Sequence, residues 1–186
     1  MTLPEKFEIE SAKISGGKQV RLPFIGDNKH LYSDDEGHYY HKLSNFETKI
    51  IEQELEDEAT VSFYRNPSSG SRSLKIPYTK DGVEKVFSPD FITFVETAEG
   101  IKPSIIDPHG TYLEDALDKL QGLADYAERH GDQFAEIRAI SDEHAGKAIV
   151  LEMTDEDVRE HVRNAETIAQ AYEDREHRGL VQEIKV

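Results

Sequence analysis

The chain has 186 residues, with 38 acidic against 22 basic side chains, a formal net charge of −16, and no cysteine. That length suits one domain burying its own core, and the missing cysteines exclude disulfides and thiolate metal sites. The charge argues against strong non-specific binding to DNA, which is driven by phosphate neutralisation, although a local basic strip can still bind while the rest repels.

Residues 1–43 read as an irregular extension, with turn signals at Gly26-Asp27 and Asp35-Glu36-Gly37 and short strands at 18–24 and 38–41. His30, His38 and His41, with Asp34 and Asp35, match no compact zinc spacing. The domain proper is expected over 44–186. A helix is predicted over about 45–57, because Ser44 and Glu47 form a capping-box pattern ahead of Phe46, Ile50 and Leu55. Strands follow at ATVSFYR (59–65), SLKIPY (73–78), SPDFITFVET (88–97) and IKPSIID (101–107). Turn residues separate them at 66–70, at Lys80-Asp81-Gly82 and at Ala98-Glu99-Gly100.

Leu113, Ala116, Leu117, Leu120, Leu123, Ala124 and Ala127 recur at helical spacing, so a helix is expected over 112–130, stopped by Gly131. Strands near 134–140 and 147–153 come next. A last helix is predicted from after Thr154 to about Arg175, striped by Val158, Val162, Ala165, Ile168, Ala169 and Tyr172. The strand–helix–strand unit at 101–140 argues for an α/β fold with a mixed central sheet flanked by helices. No run approaches the ~20 apolar residues that span a bilayer, and no basic start leads into an apolar segment, so a cytoplasmic protein is expected. There is no phosphate-binding glycine loop, so this chain encodes no ATPase motor.

The 88–107 hairpin is where chemistry concentrates. Asp90 opens one strand and Asp107 closes the next, so antiparallel pairing brings them opposite each other. Two adjacent carboxylates repel unless a cation lies between them. Hard oxygen donors select Mg²⁺ or Mn²⁺, which can activate water against a phosphate ester.

FYRNP (63–67), LKIPY (74–78), SPDFITF (88–94) and IIDPHGTYLEDALDKLQGLADYAERHG (105–131) resemble the C-terminal nuclease domain of bacterial helicase–nuclease proteins. Those proteins are related to the restriction subunit of type III restriction enzymes, in the PD-(D/E)XK superfamily. The resemblance runs from about residue 28 to about 165 and is specific over 63–131. It implies a restriction-endonuclease-like core and a metal-dependent DNA endonuclease. It further implies an upstream helicase in the parent protein and a role in restriction or defence against foreign DNA. Pro89-Asp90 matches the PD pair, Asp107-Pro108-His109 stands where the (D/E)XK triplet belongs, and Glu47 matches the helix glutamate. The resemblance thus makes Glu47, Asp90, Asp107 and His109 catalytic, with Glu47, Asp90 and Asp107 at the metal. Lys119 and Gln121, on the helix after the site, fall where relatives hold a phosphate or a metal-bound water.

Histidine replaces the usual lysine of the triplet. It can supply charge as imidazolium, act as a neutral base, or ligate a metal. It also leaves open an inactive nuclease fold used for docking. Glu47 reads equally as a capping residue, with Glu54 as the fallback on the same helix face. Arg65, Arg72, Lys75 and Lys80 are the basic candidates for contacts to the nucleic-acid backbone. Proline fixes φ and removes a donor, so the strand is expected to end at Pro108 with His109 free to turn towards the metal.

Overall fold

The computed structural model describes residues 29–31, 43–110, 114–142, 147–173 and 181–185. The strands expected at 18–24 and 38–41, and His38, His41, Asp34 and Asp35, lie outside them. Helix α1 (Asn45–Glu56) leads into β1 (Thr60–Arg65), β2 (Ile76–Lys80), β3 (Val83–Phe87), β4 (Phe91–Thr97) and β5 (Gly100–His109). Then come α2 (Ala116–His130), a 3-10 turn (Gly131–Gln133), β6 (Ile137–Asp142), β7 (Lys147–Glu152), α3 (Glu156–Asn164), a single-turn helix α4 (Ile168–Ala171) and β8 (Val181–Lys185).

Six strands form one mixed sheet in the order β1-β4-β5-β6-β7-β8. Its one parallel pair, β5 with β6, is joined through α2, and every other neighbour is antiparallel. Side chains alternate across β5, and that alternation builds two cores. Ile106 faces α1 with Ile50, Ile51, Phe63 and Phe91, whereas Ile105 faces α2 and α3 with Leu120, Leu123, Val158 and Val162. The fold is therefore the expected α/β arrangement, a mixed central sheet flanked by helices, compatible with a restriction-endonuclease-like core. Residues 29–31 dock on β1: Leu31 N–H donates to the Phe63 carbonyl, and Phe63 N–H to that of Lys29, both at 2.9 Å. His30 Nε2 accepts from the Arg65 backbone N–H at 3.0 Å.

Four local expectations are corrected. The sequence VEKVF (83–87), read as connection, is strand β3, which pairs with β2 as a separate two-stranded ribbon. The last helix is two: the chain turns extended at Ala165 (ψ 134°), and Thr167 caps a new turn by accepting from the Gln170 N–H. β8 was not anticipated. Finally, β5 does not stop at Pro108 but runs on to His109, paired with β6. Pairing with β4 ends at Ile106, so Pro108 sits where β5 has one neighbour and a missing N–H is tolerated.

The ribbon is seated on α2 by a close approach of backbones. A Cβ added at Gly122 would meet Tyr78 Cβ at 2.5 Å and the Pro77 carbonyl oxygen at 2.8 Å. Gly122→Ala is therefore expected to destabilise the fold by about 1–3 kcal/mol through overpacking. Denaturant unfolding would measure that loss, and faster amide exchange in β2 than in β4 would locate it at the ribbon.

Candidate active site

The entrance to β4 is braced by Asn66, which is 3% exposed. Its Nδ2 donates to the Pro89 carbonyl at 2.8 Å and the Leu74 carbonyl at 3.0 Å, while its Oδ1 accepts from Leu74 N–H at 2.8 Å. Its backbone N–H donates to the Asp90 carbonyl at 2.9 Å. A buried amide satisfied on every side is a rigid clamp, and this one fixes the Pro89-Asp90 pair.

Across the hairpin, Phe91 pairs with Ile106, and one step further Asp90 meets Asp107. The Asp90 N–H donates to Asp107 Oδ1 at 3.0 Å. Burial, then the negative charge of Asp107, pushes the Asp90 carboxyl up to about 6, against a smaller opposing pull from Arg65. A carboxyl held that high beside a second carboxylate marks a place where a cation would be stabilised.

His109 shares the Asp107 face of β5. Its Nδ1 lies 3.1 Å from the Asp107 carbonyl oxygen and 3.5 Å from Asp107 Oδ2. Its Nε2 is 2.8 Å from the Tyr172 hydroxyl, and Tyr172 is buried. Burial draws the imidazole pKa down, but the hydrogen bonds and charge of Asp107 outweigh it and leave the ring above its ordinary value. The ring is held from both sides rather than free to swing. The upward shift favours its protonated form beside Asp107 relative to a free ring.

Arg65, expected at the nucleic-acid backbone, is turned into the site. Its side chain is 13% exposed, with Nη2 donating to Glu47 Oε1 at 2.7 Å and Nη1 donating to Asp90 Oδ1. The guanidinium lies 4.8 Å from the centre of the Phe91 ring. Glu47 takes the capping role and also holds Arg65, and it is not brought to a shared point with Asp90 and Asp107. Its Oε2 accepts from the Ser44 N–H at 2.6 Å, completing the capping box, while Oε1 holds Arg65. It reaches the aspartates through that arginine. Glu54 pairs instead with Arg138, away from Asp90. Gln121 Nε2 donates to the carbonyls of Val162, Arg163 and Ala165, so it closes the end of α3, and it is not among the residues lining the cavity at Asp90 and Asp107. Arg72 and Lys75 are exposed, and Lys80 lies 3.8 Å from Glu114.

A cavity of about 350 Å³ opens over this edge, lined among others by Ser68, Ser88, Asp90, Asp107, His109 and Lys119. Lys119 Nζ is 3.0 Å from Asp115 Oδ1, and Asp115 Oδ2 accepts from the Tyr78 hydroxyl at 2.8 Å. Among the described residues, no group of three or more His, Asp or Glu side chains converges on a point. Two carboxylates with solvent space beside them still fit Mg²⁺, which commonly takes one or two protein oxygens and keeps several waters. Tyr172 and Asn66 went unnoticed as parts of the site. Tyr172 stands 63 positions from His109, with no local signal linking them.

A mixed sheet with two acid-bearing strand ends at the wall of one cavity makes this an α/β domain compatible with a restriction-endonuclease-like core. Comparison places the chain more narrowly: the YagJ family model matches residues 28–180, and the chain belongs to the YagJ family. Protein YagJ of Escherichia coli (strain K12) is 38% identical over 162 residues, which is 87% of this chain and 65% of that protein. No solved structure matches the chain.

Proposed function

We propose that this domain is a metal-dependent DNA endonuclease that hydrolyses phosphodiester bonds at the Asp90–Asp107 edge. The observation that carries this reading is the pair of carboxylates meeting across the β4–β5 hairpin at the wall of a cavity that Lys119 also lines. Asp90 and Asp107 are the residues to hold Mg²⁺ or Mn²⁺, which when bound supplies Lewis acidity and an activated water. His109, fixed by Asp107 and Tyr172, stands where the resembled nucleases carry lysine and supplies charge there when protonated. Lys119 faces the cavity as a phosphate contact, and Glu47 steadies Asp90 through Arg65. The resemblance to helicase-associated nucleases adds that the domain acts on DNA opened by a helicase in the parent protein, in restriction or defence. No helix among the described residues is long and apolar enough to cross a membrane, in keeping with work on cytoplasmic DNA.

The test is cleavage of single- and double-stranded DNA by purified protein with Mg²⁺ or Mn²⁺, beside His109→Ala. Cleavage by the wild type and its loss in His109→Ala, with the fold retained, are expected. Intact DNA under every condition, including with the parent motor added, would remove the enzyme reading. A second reading, an inactive nuclease fold used for docking DNA or protein, is favoured by the Arg65–Asp90 ion pair, which already engages one oxygen of the Asp90 carboxylate. Calorimetric titration with Mg²⁺ separates the two, since a docking module has no need to bind it.

A further inference from the structure

The β2–β3 ribbon stands apart from the main sheet, yet its base forms part of the cavity wall through Val86, Phe87 and Ser88. Its inner face is anchored by buried Ile76 and Tyr78, and its tip is a tight turn with positive φ at Asp81 (52°) and Gly82 (74°). Strand β3 is exposed from Val83 to Val86 and has no partner on its outer edge among the described residues.

Charge distinguishes this segment from the rest. The loop and ribbon over 66–87 carry Arg72, Lys75, Lys80 and Lys85 against Asp81 and Glu84, a positive island in a chain of net charge −16. Among the described residues, Arg72, Lys75 and Lys85 are exposed and make no ion pair. Lys102, Lys119, Arg138 and Arg163 are each held by a carboxylate. Arg72, Lys75 and Lys85 thus put three unpaired cations on one segment that borders the cavity through Ser68 and Val86, where they can neutralise phosphates.

We infer that the β2–β3 ribbon enters the major groove of duplex DNA, with Arg72, Lys75 and Lys85 on the flanking phosphates, and so delivers one backbone to the cleft. The inference takes its polymer from the nuclease reading and adds the form of the substrate. A two-stranded ribbon fits the B-form major groove, whereas the deep, narrow major groove of duplex RNA excludes it. Single strands are gripped by exposed aromatic platforms, and the large exposed side chains of this ribbon are the aliphatic Val83 and Val86.

The test is fluorescence anisotropy of the whole chain with short labelled nucleic acids in EDTA, where cleavage cannot intervene. Duplex DNA should bind more tightly than its single strand or the matching RNA duplex. Arg72→Glu/Lys75→Glu/Lys85→Glu, with an unchanged melting curve, should weaken duplex binding by roughly tenfold or more. Each single Lys→Ala change should lower the salt slope by about one. Lys49→Glu, on α1 across the sheet, should bind like the wild type. No duplex binding, equal or tighter binding of single strands or RNA, or a triple variant that binds normally would overturn the inference. Cleavage assayed separately with Mg²⁺ keeps the two readings distinct. Ribbon-dependent binding without cleavage removes the nuclease alone, and cleavage that ignores the ribbon removes the ribbon alone.

Discussion

Asp90→Asn is expected to abolish metal-dependent cleavage and at the same time make the metal-free protein more stable. The folded protein holds the Asp90 carboxyl at about 6, against an ordinary 3.8, through burial and then the Asp107 charge. A raised carboxyl favours the protonated form in the native state. Stability is therefore fully present below 3.8 and falls as pH rises through about 6. The shift corresponds to on the order of 3 kcal/mol. Asparagine keeps the shape, offers Arg65 an acceptor oxygen, and never acquires the charge. Urea unfolding in EDTA should show the two proteins alike near pH 4 and the variant ahead by about 2–3 kcal/mol above pH 7. Glu54 and Glu152 are also raised and tilt both proteins the same way, whereas part of the His109 shift comes from the Asp90 charge and goes with it, so the difference reads Asp90 together with its pull on His109. Adding Mg²⁺ should raise the wild-type melting temperature and leave the variant unmoved, because only the former gains a ligand bound to its native state. A variant no more stable than the wild type at neutral pH would show that Asp107 and burial do not strain this site.

Arg65→Ala should be among the most damaging single changes in the domain. The guanidinium is shared by Glu47 and Asp90, whose side chains are 15% and 26% exposed. Removing it leaves two largely buried carboxylates without a counter-charge, a situation that typically costs about 3–5 kcal/mol. The contact with the Phe91 ring is lost as well, adding about 1 kcal/mol. Lysine retains the charge but not the fork that serves two partners, so Arg65→Lys should fall between. Glu47→Gln in the Arg65→Ala background should recover part of the loss by removing one stranded charge. Chemical denaturation of the four proteins checks the series, and a loss below about 1 kcal/mol for Arg65→Ala would place the pair among solvent-screened surface bridges.

What could be read from the sequence was what neighbours along the chain decide. The Ser44–Glu47 capping box, the α2 stripe and the β4–β5 hairpin are local, so the aspartates could be set opposite each other without coordinates. Strand β3 escaped notice because its alternation serves no buried face: Val83, Glu84, Lys85 and Val86 are all exposed. The α3–α4 break escaped for the opposite reason. Ala165, Ile168 and Tyr172 keep helical spacing, while the Thr167 cap that restarts the chain lies in a stretch that also reads as helix interior. The roles of Arg65, Gln121 and Tyr172 depend on partners 18 to 63 positions away. No periodicity encodes such pairings. For Glu47, the cap and the pair with Arg65 coexist, since a carboxylate has an oxygen for each.

Because β5 carries Ile105, Asp107 and His109 on one side and Ile106 on the other, the site is bound to the parity of the strand. One residue added between Ile101 and Ile106 would turn Asp107 and His109 towards α1 and send Ile106 into the cavity. The same residue added at Ala98-Glu99, in the exposed turn, would lengthen a loop and leave both side chains where they are. Length variation among related chains should thus be absorbed at that turn, while the distance from Ile101 to His109 stays constant even where the residues themselves change.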